Sequence, residues 1–238
     1  MKNIGLIASK EFRSHLASPM AYIVTFVFLL ITGTFFSTYL TGTGYTDTSI
    51  AGFLSPGNLL LLLFASVLTM RLLAEEKKMG TWELLLTAPV RDSEVVLGKF
   101  LGSLGVLLVM LALTLYYPLL LVLFGDPDIG PIVTSYIGLI LLGSSAMAVG
   151  LFASSVTSNQ IVAAVISGVI LFALWFVGSA VTLVPANIGE LLAYVSLMGH
   201  FSDFTMGIID TRAIIYYLSI IALFLFFTIR SIETGRWS

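Results

Sequence analysis

The side chains of this sequence that could take part in chemistry are few and far apart. There are two histidines, His15 and His200, and no cysteine. A disulfide framework and a thiolate metal site are therefore excluded, and two isolated histidines do not form a His/Cys cluster. A phosphate-binding loop, G-x-x-x-x-G-K-[ST], holds nucleotide through backbone N–H groups and its lysine. The one Gly-Lys pair, Gly98-Lys99, is followed by Phe100, and Ser93 stands where the first glycine belongs, so the motif fails twice. A serine nucleophile needs a histidine facing it. Gly143-Ser144-Ser145-Ala146 is the candidate run, but its small residues read better as a close-packed helix face, and His200 falls in a different segment. No catalytic residue, metal site or cofactor site follows from these side chains, and the chain is not read as an enzyme.

Charge placement carries more information than reactive groups do. Hydrophobic residues make up 58% of the chain and charged residues 10%, where a globular domain has about 25% charged. Residues 129–189 carry no charged side chain. A charge near the middle of a membrane helix costs roughly 2.5–3.5 kcal/mol on insertion scales, so such runs are what a bilayer selects. A net charge of −2 argues against nucleic acid as a partner.

The pattern predicts one all-α, polytopic membrane domain over residues 1–238, with spans near 20–40, 56–74, 98–124, 131–155, 160–184 and 213–229. These lengths suit helices, at ~1.5 Å per residue across a core of ~30 Å. The first apolar run is too long for a cleaved signal peptide. With these spans, every lysine and arginine except Arg212 falls on one side. The positive-inside rule then places both termini in the cytoplasm, with the chain in a cell (inner) membrane.

Two further segments have readable organisation. In residues 1–18, Ile4, Ala8, Phe12 and Leu16 form one i, i+4 row with Ile7 beside it, while Lys10, Arg13 and Ser14 fall elsewhere. This is an amphipathic interfacial helix, either a plain anchor or a lever joining a partner to span one. Pro19 opens a new helix, where proline is tolerated. Residues 75–91 are longer than the ~2–8 residues that reconnect two helices. Here span two is expected to run on as a charged helix through Glu75 and Glu76 until Gly80. A short segment follows with Trp82, Leu85 and Leu86 on one side and Glu83 on the other, stopped by Pro89. Asp92 or Ser93 can then cap the next helix, with Glu94 in its first turn. A half-greasy, half-charged helix set across two span ends reads as a docking knob; the alternative is a solvated connector.

The run Ala74-Glu75-Glu76-Lys77-x-x-Gly80-Thr81-x-Glu83-Leu84-Leu85-Leu86-Thr87-x-Pro89-Val90, followed by Gly98-Lys99, resembles the signature loop of type 2 ATP-binding cassette (ABC) permeases. A second block, Ser196 to Asp210, is similar to the gliding-motility permease subgroup. The resemblance covers essentially the whole chain. It implies six transmembrane helices per subunit and a dimer with a second copy or a related permease. It also implies a separate cytoplasmic ATPase that binds the ATP and docks on the loop after span two. Carried over, Glu75, Glu76, Gly80, Thr81, Glu83, Leu84 and Pro89 would form the coupling region, with the turn at 154–160 a secondary contact. Residues 188–210 would be an external helix pair acting as a lid, with His200, Asp203, Gly207 and Asp210 as its polar and turn positions.

The expected function is thus the permease subunit of an ABC exporter, surrounded by membrane lipid. A non-transporting energy transducer of the same architecture is the alternative. An ATP-independent channel or carrier is less favoured, because the span centres hold no charge to carry a coupling ion.

Overall fold

The computed structural model describes residues 2–43, 50–81 and 90–235, and among these there is no strand. The helices are α1 (Lys2–Ala17), α2 (Pro19–Gly42), α3 (Ile50–Thr69), α4 (Ala74–Lys78), α5 (Asp92–Thr114), α6 (Tyr116–Phe124), α7 (Ile129–Val156) and α8 (Gln160–Phe176). A 3₁₀ segment, Val177–Leu183, leads to α9 (Ala186–Val195), α10 (Leu197–Thr205) and α11 (Thr211–Gly235). Six stretches are long and apolar enough to cross a membrane: Pro19–Gly42, Gly57–Lys78, Asp92–Phe124, Ile129–Val156, Gln160–Val181 and Thr211–Thr234. The protein is all-α and polytopic.

The fourth span, α7, is the hub. In its most apolar stretch 78% of residues are buried, against 22% for the fifth span. Helix α7 packs on α3, α5, α8, α10 and α11. Small residues make this possible, because helix association in lipid depends on close backbone approach. A Cβ on Gly143 would lie 2.7 Å from Leu107, and one on Gly150 would lie 1.9 Å from the Thr69 hydroxyl. Gly138 meets Phe201 and Phe204 of α10 in the same way. The Ala146/Gly150 notch therefore seats α3.

The Gly98/Gly102 notch seats α1. Ile7 lies against Gly98, Glu11 and the Ala8 carbonyl against Gly102, and Phe12 against Gly105. The two registers advance together, so α1 runs alongside the start of α5 in the same direction. The apolar row of the leader is thus covered by protein, leaving Leu6 at 69% exposure and Leu16 at its edge. Its Lys10 and Arg13 stay exposed.

Span three divides into α5 and α6 around Leu115. Pro118 has no N–H to give the Thr114 carbonyl, so the ladder cannot continue unbroken. The chain tightens there, with the Leu115 N–H bonded to the Ala112 carbonyl at 3.2 Å. Helix α5 begins at Asp92, not after a cap at that residue. The Glu94 carboxylate reaches back to accept the Arg91 N–H at 3.3 Å, and the Asn3 side-chain amide donates to the same carboxylate oxygen at 3.1 Å.

Candidate functional site

Span two does not leave the bundle as one continuous helix. It stops at Thr69, turns through 70–73 and restarts as α4. A helix break normally strands backbone groups, and in an apolar bundle no water is at hand to satisfy them. Here one hydroxyl does so. Ser154, fully buried near the end of α7, accepts from the N–H groups of Leu73 (3.0 Å) and Ala74 (2.9 Å). It donates to the carbonyl of Met70 at 2.9 Å. A serine hydroxyl has one donor and two acceptor sites, and all three are used. The next residue extends the junction: the Ser155 carbonyl accepts from the Lys77 ammonium and, at 3.4 Å, from Ser231 of α11. A lysine at a helix C-terminus is also favoured by the macrodipole.

The same end of the bundle holds an ion cluster built around a buried lysine. Lys99 of α5 is 3% exposed. Its ammonium lies 2.8 Å from Glu76 of α4 and 3.3 Å from Glu11 of α1. Buried charge is tolerated only when paired and hydrogen-bonded, and this cation has both carboxylates. One oxygen of Glu76 is buried with no hydrogen-bond partner. His15, 1% exposed, turns its two ring nitrogens toward the carbonyls of Glu11 (3.1 Å) and Leu68 (3.4 Å). Arg71 donates to the Ser18 hydroxyl at 2.7 Å, where α1 gives way to α2. Beside these groups is a cleft of about 250 Å³, lined among others by Lys10, Arg71, Glu75, Glu76 and Thr81.

Of the coupling residues expected from sequence, Glu75 and Glu76 occupy this junction. Gly80 follows α4 at φ 70°, a left-handed conformation that favours glycine. Thr81 donates to the Glu76 carbonyl at 3.3 Å. Glu83, Leu84 and Pro89 lie outside the described residues, as do Trp82, Leu85 and Leu86. Of the turn at 154–160, Ser154 and Ser155 are buried against α4, while Val156 and Ser158 stay exposed. Glu11, His15 and Lys99 were missed as members of a site. The available signal was that Glu11 and His15 fall beside the apolar row of the leader, where a plain amphipathic helix carries hydrophobic residues.

At the opposite end, His200, Asp203, Gly207 and Asp210 belong to the closing of α10 and the opening of α11. The His200 ring lies flat on Tyr216, 3.9 Å between centroids with 3° between planes, and Nδ1 donates to the Ser196 carbonyl at 3.0 Å. The Asp203 carbonyl accepts from Ile208, and Phe204 from Gly207, with Gly207 at φ 84°. That pairing is the Schellman ending of a helix. Asp210 accepts from the Arg212 N–H at 2.8 Å and so caps α11. The hydroxyls of Thr134 and Ser135 on α7 hold the Phe204 carbonyl at 2.6 and 3.3 Å. This geometry is architectural. Ser144 and Ser145 are likewise bonded within α7, to the Ile140 and Leu142 carbonyls.

No curated protein matches the chain. A family model, ABC-2 family transporter protein, matches residues 6–224, which takes in most of α1, the Glu11, Glu76 and Lys99 cluster, and the first half of α11. Six apolar spans in an all-helical bundle and this match together place the chain in the ABC-2 family of transporter proteins, as a membrane permease component of an ABC system.

Proposed function

We propose that this chain is the permease subunit of an ABC exporter, energised by a separate ATPase that docks on residues 75–91. The observation that carries the reading is the junction at the exit of span two. There α4 is bonded to the end of α7 through Ser154 and Ser155, and to α1 and α5 through Glu76 and Lys99. A load applied at α4, the end of span two, is carried by these bonds to the leader helix and to the ends of the third and fourth spans. A loop that merely reconnected two helices would need none of these bonds.

In this reading the junction faces the cytoplasm, as the lysine and arginine distribution indicates. Two copies, or this chain and a related permease, complete the pathway in the cell's inner membrane. The α9–α10 pair forms the outer cover. The cargo is apolar or lipid-like, since residues 129–189 offer no charge for a polar substrate.

Co-purification with the ATPase tests the docking. Glu83→Lys and Pro89→Gly should lower recovery of the partner while leaving membrane insertion and monodispersity intact. Unchanged recovery with both variants would overturn the assignment of residues 75–91. A reporter fused after Ser238 should be cytoplasmic; an external signal would reverse the orientation.

A further inference from the structure

We infer that Lys99 is a shared contact over which α1 and α4 compete, and that this competition links the position of the leader helix to the position of the docking segment. The three charged groups come from three elements: Glu11 on α1, Glu76 on α4 and Lys99 on α5. The ammonium sits 2.8 Å from Glu76, within the optimal range for a charge-assisted bond, and 3.3 Å from Glu11, beyond it. The contact with Glu11 is therefore stretched in favour of α4.

The two carboxylates are only part-buried, at 16% side-chain exposure for Glu11 and 25% for Glu76, and both line the polar cleft, so either can shift relative to the ammonium. The stem of Lys99 is fixed on α5, whose Gly98 and Gly102 press against α1. Movement of α4 away from α5 releases the ammonium from Glu76 and lets it close on Glu11. Movement of α4 inward does the reverse. The leader is thereby gripped when the docking segment withdraws and eased when it advances. Sites that share one element with two arrangements are coupled in this physical sense.

The use of this link in transport rests on the docking reading above, whereas the competition itself can be measured on this chain alone. The experiment is hydrogen exchange followed by mass spectrometry on the full chain in lipid nanodiscs. Glu76→Gln should slow exchange of the α1 amides by about threefold or more, because Lys99 turns to Glu11. Glu11→Gln should speed α1 exchange and slow that of α4. Glu76→Asp and Glu11→Asp retract the carboxylates while keeping their charge, and should give the same signs if the amide variants fold poorly. A static ionic junction predicts faster exchange in both helices for every variant. That result, or no change, overturns the competition whether or not an ATPase docks at 75–91. Unchanged ATPase recovery with both docking variants, together with crossed signs here, would confine the failure to the docking assignment.

Discussion

Replacing Ser154 by alanine removes a hydroxyl that makes three bonds across the break in span two. The N–H groups of Leu73 and Ala74 and the carbonyl of Met70 lose their partner together. At a net ~0.5–1.5 kcal/mol per bond the loss is about 1.5–4.5 kcal/mol, centred near 3, since water cannot take the hydroxyl's place at a fully buried position. The matched control is Ser145→Ala. Ser145 is equally buried, but its hydroxyl donates only to the Leu142 carbonyl of its own helix. That carbonyl keeps its helical N–H, so the change should cost less than about 0.5 kcal/mol. Because ~1.4 kcal/mol is a factor of ten, Ser154→Ala should raise exchange at Leu73 and Ala74 by roughly 10- to 1000-fold. Ser145→Ala should leave those two amides unchanged. Exchange within threefold of wild type in Ser154→Ala would refute the claim that this hydroxyl holds the break closed.

Gly150→Ala should reduce the folded, monodisperse yield in detergent, because the new methyl would lie 1.9 Å from the Thr69 hydroxyl and 2.9 Å from its Cβ. Overpacking of this kind costs about 1–3 kcal/mol or more, and combining it with Thr69→Ala should recover part of the yield. Gly80→Ala should cost about 1 kcal/mol at the end of α4, read as faster local exchange, because its φ of 70° disfavours a side chain even though nothing lies within 4 Å. Gly168→Ala, in a helix with the same open surroundings, should be neutral or slightly stabilising in thermal unfolding.

The membrane architecture was legible because charge exclusion is a strong and local rule. Residues 129–189 could not be anything but membrane-embedded or deeply buried, and α7 and α8 occupy most of that run. The break at 70–73 was not legible. The backbone groups it leaves open are met by Ser154, some eighty residues downstream, and a buried serine near a helix end looks the same in sequence whether or not it serves another helix. Lys99 was hidden for a similar reason. It was counted among the loop cations that set orientation, and only the approach of α1 and α4 turns it into a buried centre. Gly207 and Asp210 were picked out by resemblance as lid positions, while the helix-ending and capping bonds they make require only local geometry.

The seating of α1 against α5 also sets an order of assembly. Asn3 and its partner Glu94 are 91 residues apart, and Gly98, Gly102 and Gly105 are made later still. At ~5–20 residues per second, a ribosome needs roughly 5–20 s to reach that groove after α1 is complete. During that interval Ile4, Ile7 and Phe12 have no protein surface to cover them. The nascent leader must therefore rest on lipid or on a chaperone until the third crossing arrives to receive it.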